Sequence, residues 1–366
     1  MAHLFGRSWT RKELLARVGD ISQLGGARPI TLAEGPEAGV SAVEVRTGSG
    51  FNFTVLPGRG LDLGFAEFRG ASLCWRSPTG EIAASYYDAV GEGWLRGFYG
   101  GLMVTCGFTA AGWGGEDQGQ PVGLHGPASY LAARNIQVDG DWEGDDYVMW
   151  VQGRTHETTA LGDHLRLTRR VWARLGESRL FVDDVVENLG HQPAPHMIAY
   201  HINPGFPVVD QGSRFISSAN RIEPINEEWR VGLPTHDQFD APDPSWTPQV
   251  FHHFLDGDAD GNAYCAVINP GFPGGGLGLY VKQKVAELPI VWEWKNTVVG
   301  NYVVGMEPSN CRGDGRANVR ERGELRILAP GEKQEYHLEI GVLDGSGAID
   351  DLKKRANASR TGARQS

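Results

Sequence analysis

A chain of 366 residues with 40% hydrophobic residues can bury one large core or two small ones, and its formal charge of −11 argues against nucleic acid and anionic membrane surfaces as partners. The 51 glycines and 20 prolines show no collagen-like period, which predicts many turns between short strands. Cys74, Cys106, Cys265 and Cys311 are scattered without a paired spacing, so reduced and mostly buried thiols are expected.

The first twenty residues contain no apolar run long enough for a signal peptide or membrane helix, so a cytoplasmic location is expected. Residues 10–18 predict a short helix. Thr10 and Glu13 have the spacing of a capping box, and Leu14, Leu15 and Val18 share one face. Residues 1–27 thus read as a helical lead-in that packs outside a main domain spanning 28–348.

From about residue 28 the hydrophobic period becomes two. In 165–175, Leu165, Leu167, Val171, Ala173 and Leu175 share one side, while Arg166, Thr168, Arg170, Trp172 and Arg174 share the other. Gly176-Glu177-Ser178 is a turn, and 179–187 is the return strand. Further strands are predicted at 40–46, 50–56, 146–153, 196–202, 263–268, 277–284, 300–307 and 334–342. No long amphipathic helix separates them, which points to one large antiparallel sandwich. The tail, 349–366, is polar and basic; it reads as a frayed helix followed by disorder. The hexapeptide INPGFP occurs at 202–207 and again at 268–273, and turn chemistry explains both copies as strand exits. Only the first copy follows a histidine, His201.

Several side chains stand beside turn-forming residues at strand ends, where a rigid scaffold exposes them. His201 is one such candidate. His196, five residues earlier, would face the opposite side of a regular strand. Glu307, in YVVGMEPSN, ends an apolar strand at Pro308. Gly305, two residues before it, leaves room on the same face. A carboxylate there needs a partner or a purpose, and a salt bridge to Arg312 or Arg316 would serve structurally. His125 lies in GLHGP after a glycine-rich loop, with a solvated loop histidine as the structural alternative. Arg59 and Asp62, in PGRGLDLG, could hold sugar hydroxyls or form a structural ion pair. In WEWKN, Trp292 and Trp294 share one face and Lys295 points to the other; tryptophan suits sugar stacking and core packing alike. The acidic run 256–261 begins like a calcium loop, but its twelfth position is Val267. There is no phosphate loop, GxSxG, HExxH or spaced zinc set.

In order and context, LHGP with His125, the run ENLGHQPAPHMIAYHINPGF with His201, and YVVGMEPSN with Glu307 resemble the aldose 1-epimerase (galactose mutarotase) superfamily, in its divergent branch. The resemblance spans about residues 40–345. It implies a galactose-mutarotase-like β-supersandwich, mainly β, with a short N-terminal helix. It further implies an isomerase that interconverts sugar anomers without a cofactor, with Glu307 as base, His201 as acid on the opposite side of the sugar, and His201 partly protonated near neutral pH. His125, Arg59, Asp62, Lys295, Trp294 and Asn310 would contact the sugar. Arg59 lies in GRGLDLG rather than the family's Arg-x-x-Asn-Arg, and Asp237 or Asp240 would have to stand for its sugar-binding aspartate. Two other outcomes fit the same residues. One is an epimerase working through an open-chain enediol, with a metal between His125, His201 and Glu307. The other is a carbohydrate-binding protein without turnover. A homodimer is compatible with all three.

Overall fold

The computed structural model describes residues 1–362, and the end of the tail, where disorder is predicted, lies outside them. Strands pair antiparallel throughout the two large sheets. The first has eight strands, and its centre is His164–Arg174, Arg179–Asn188 and Lys333–Asp344. The second has twelve, and its centre is Ile290–Val298, Asn301–Ser309, Ala194–Ile202 and Met103–Phe108. No helix among the described residues is long and apolar enough to cross a membrane.

The inner faces of the two sheets meet in one core. Leu165, Leu167, Val171 and Ala173 from the first sheet pack with Ile198, Tyr200, Val304 and Met306 from the second. The predicted alternation of 165–175 therefore holds, with one exception on the buried side. Arg169 points inward and is completely buried. Its guanidinium bonds Asp184 at 2.6 and 2.9 Å and Asp62 at 2.8 Å.

The outer face of the larger sheet carries a second apolar cluster that includes Trp94, Phe98, Val104, Met197, Ala199 and Trp292. Long loops cover it, so strand Ala194–Ile202 is buried on both faces.

At the N-terminus the capping box forms as read: Thr10 caps helix Arg11–Leu15 and Glu13 answers it. Ala2, Leu4 and Leu14 enter the main core. All four cysteines are free and buried. The tail is a correction. Helix Gly345–Gly362 is docked rather than frayed, with Ile349, Leu352 and Ala356 buried against Tyr264, Ala266 and Ile268. Its sparse apolar residues recur every three or four positions and make one narrow stripe.

Candidate active site

The register of the larger sheet builds the site. Ala199 pairs with Ser309 and Ile202 with Met306, which sets His201 opposite Glu307 on adjacent strands. On the other side Glu307 pairs with Trp292. In strand 194–202, His196, Ile198 and Tyr200 face inward while His201 faces outward. His196 is accordingly spent inside, its ring nitrogens on Phe108 O and Tyr336 Oη at 3.1 and 2.7 Å.

His201 Nε2 lies 3.2 Å from Glu307 Oε1. Among the described residues no arginine pairs with Glu307: Arg312 bonds Glu223 and Arg316 bonds Asp117. Gly305 makes the space for this contact. A Cβ there would stand 2.5 Å from Glu307 Oε1 and 3.0 Å from His201 Cε1. The pair lies at the wall of a cavity of about 440 Å³. Aromatic rings enclose it: Trp94, Phe98, Trp113, Trp229, Trp292 and Trp294. His125 joins them, with its ring 5.8 Å from that of His201 and 4.6 Å from that of Trp94. Its backbone is left-handed at φ 57°, held by bonds from His125 N to Gly112 O and from Gly107 N to His125 O. Neither lysine nor arginine is among the described residues that line the cavity.

Three polar atoms here are buried without partners: Trp94 Nε1, His125 Nδ1 and His201 Nδ1. Such atoms cost free energy unless something bonds them, and all three belong to residues that line the cavity. Burial also sets the protonation. It pushes the Glu307 carboxyl well up from its usual range. Burial, and then the neighbouring His125, hold His201 down to about 3. Burial alone holds His125 down to about 4. Burial therefore disfavours the protonated His201 expected from the sequence and favours the uncharged form of both groups. At 3.2 Å the two groups also stand side by side, not across a sugar.

Of the other residues expected to touch a sugar, Trp294 lines the cavity and four do not. Arg59 is buried, and its guanidinium donates to three backbone carbonyls, Ser129 O, Ile82 O and Gly97 O, at 2.7, 2.7 and 3.0 Å. Asp62 faces the core and accepts from Arg169 and Thr105. Lys295 lies on the far side of its strand, with Nζ 2.9 Å from Thr235 O. Asn310 braces the sheet through Ile198 N and Tyr336 Oη. Asp237 and Asp240 are not among the cavity-lining residues. Sequence reasoning missed Trp94, Phe98, Trp113 and Trp229. The signal available for Trp94 was a bulky ring inside the glycine-rich GEGWLRG.

Residues 37–342 match the family model described as a domain of unknown function, DUF4432. The chain belongs to that family. Among curated proteins none matches the sequence. Among solved structures, a candidate aldose 1-epimerase from Klebsiella pneumoniae superposes with a TM-score of 0.87 at 25% identity, covering 93% of this chain and 90% of that one. A galactose mutarotase-like protein from Clostridium acetobutylicum gives a TM-score of 0.62 at 12% identity, over 88% and 99% of the two chains. A galactose 1-epimerase from Lactobacillus acidophilus gives 0.58 at 14% identity, over 87% and 99%. The fold is the galactose-mutarotase-like β-supersandwich expected from the sequence.

Proposed function

We propose that the protein is an aldose 1-epimerase-like isomerase acting on an uncharged sugar. The contact of His201 with Glu307 at the wall of an aromatic cavity carries this reading. Sugar C–H faces pack on aromatic rings, and His125 and His201 bring polar side chains to the same wall. A cavity that is lined, among the described residues, by Glu92 and by no lysine or arginine disfavours phosphorylated or acidic sugars.

The chemistry follows from the pair's single proton. A pyranose carries its anomeric hydroxyl and ring oxygen on one carbon. Two proton-handling atoms 3.2 Å apart can reach both from one side. Glu307 gives its proton to the ring oxygen while His201 Nε2 takes the proton of the anomeric hydroxyl. The C–O ring bond breaks and an open-chain aldehyde forms. After rotation about the adjacent C–C bond, the ring closes on the other carbonyl face and both protons return. The pair passes from neutral to ionic and back, with no net proton change. In the ionic form Glu307 is the base and His201 the acid, the roles the family resemblance implies.

A screen of anomerically pure neutral sugars by proton NMR tests this. Acceleration over buffer with at least one neutral sugar, and none with its phosphate ester, is expected. Binding without acceleration for every sugar would instead identify a carbohydrate-binding protein.

Gly305→Ala is expected to cost about 10²-fold in rate by displacing the pair, a loss typical of a misplacement near 1 Å. Overpacking should cost about 1–3 kcal/mol of stability. Polarimetry and thermal melting read the two effects, and an unchanged rate would count against the pair.

The rate is also expected to show no inflection from His201 near the ordinary histidine value of about 6.5. Glu307 keeps the proton until pH rises through its elevated value, so activity fades on the alkaline side. On the acid side unfolding sets the limit. His125, His196 and His252 are held to about 4 and His201 to about 3 in the fold, whereas unfolded imidazoles bind protons near 6.5. Stability is therefore full above about 6.5 and falls as pH drops. A pH–rate profile with parallel circular dichroism checks both limbs.

A further inference from the structure

Glu293 sits between Trp292 and Trp294, so its side chain leaves the opposite face of the sheet from the cavity. There it meets two imidazoles. His236 Nδ1 and His253 Nε2 lie 2.8 and 2.9 Å from the same oxygen, Glu293 Oε2. Glu293 Oε1, completely buried, has no partner. The remaining nitrogen of His253, Nδ1, is 2.8 Å from Ser217 Oγ. The donor atoms of the three residues lie within 4.8 Å of one another.

We propose that His236, His253 and Glu293 form a binding site for a first-row divalent transition metal, with zinc the best fit, behind the wall of the cavity. Two imidazoles and one carboxylate suit zinc, cobalt or iron(II); magnesium and calcium prefer all-oxygen shells. Ser217 fixes the ring of His253 with Nε2 forward, the outer-shell support that metal-binding histidines usually have. A metal-free cluster of hydrogen bonds would account for Glu293 Oε2 but leave buried Oε1 unused, whereas an ion can take that oxygen. His236 is the partly exposed member and offers the way in. Lys295 lies on the same face with its ammonium on Thr235 O, and its charge weakens the hold on a cation without removing a donor.

The site would act by position. His236 directly follows the turn Glu227–Thr235, which carries the cavity residue Trp229. Glu293 lies between two further cavity tryptophans. An ion there ties the covering loop to the sheet and leaves the sugar-facing atoms untouched. The inference stands apart from the proposed sugar chemistry.

The test uses the full chain, stripped with a chelator, dialysed, and titrated with Zn²⁺ by calorimetry and with Co²⁺ by visible absorption. One equivalent is expected, with a cobalt ligand-field band and a raised melting temperature. His236→Ala should weaken Zn²⁺ binding by more than the about 10–100-fold typical of an outer-shell change. His236→Gln serves should the alanine variant fail to fold, and Glu307→Gln should bind as the native chain does. No stoichiometric uptake by the native chain would overturn the site. So would an equivalent retained in both His236 variants, or one lost on Glu307→Gln, which would move the ion to the cavity.

Discussion

Glu307→Gln is expected to slow catalysed anomer interconversion by about 10²–10⁴-fold while the fold survives. The amide keeps the shape of the side chain and fits the gap that Gly305 leaves. It can still bond His201 Nε2, but it has no proton to lend at ordinary pH. The stability change should run the other way. A carboxyl at 2% exposure with no cationic partner is a burden on the fold, and the neutral amide removes it. The melting temperature should therefore stay level or rise, the usual exchange between stability and function at a site. His201→Ala should cost a similar factor. The double variant should lose little more than either single one, because two groups that pass one proton act as a unit. NMR exchange or polarimetry with the responsive sugar measures the rates. Native rates in both single variants would sink the assignment, and additive losses would show that the two groups act separately.

His201 was legible because it stands where a strand gives way to turn residues, and Glu307 because it is a carboxylate in an apolar run; its strand does not end at Pro308 as expected but continues to Ser309. The INPGFP repeat sharpened the first: both copies follow strands, but Val267 points into the core where His201 points into the cavity. Strand His164–Arg174 was legible because one face is apolar and the other polar. Met103–Phe108 was not, since both of its faces are buried and the alternation is erased. Arg59 was misread for a related reason. A guanidinium fork suits a sugar on paper, yet its acceptors come from residues 82, 97 and 129, and nothing local in the sequence shows that those loops converge there. Trp94, Trp113 and Trp229 reach the cavity from 81–123 and 225–250, segments far apart in the chain.

Arg169→Met is expected to be the most destabilising single change, at about 3–5 kcal/mol or more. Arg169 and Asp184 belong to the smaller sheet, while Asp62, Thr105 and Tyr200 belong to the larger. Arg169 bonds both aspartates, Thr105 Oγ1 bonds Asp62, and Tyr200 Oη bonds Asp184 at 2.7 Å. These groups form a polar bolt across the core between the two sheets. Arg59, also buried, balances Asp62 through space. Removing the Arg169 cation strands two carboxylates where water cannot reach, and the desolvation cost then falls on the fold. The bolt itself is weak evidence for stability, because an apolar set of equal volume can do as well. Hence a triple replacement, Arg169→Met with Asp62→Leu and Asp184→Leu, should recover most of what the single change loses. Urea denaturation of the native chain and both variants gives the comparison. A loss below about 1 kcal/mol in Arg169→Met would mean that the aspartates find protons or water. The bolt also bears on the site. Tyr200 immediately precedes His201, so its bond to Asp184 holds the strand that presents His201 to Glu307. The triple variant should accordingly keep its stability yet lose rate, and that split would show that a core otherwise free to be apolar stays ionic to hold the register of the proton pair.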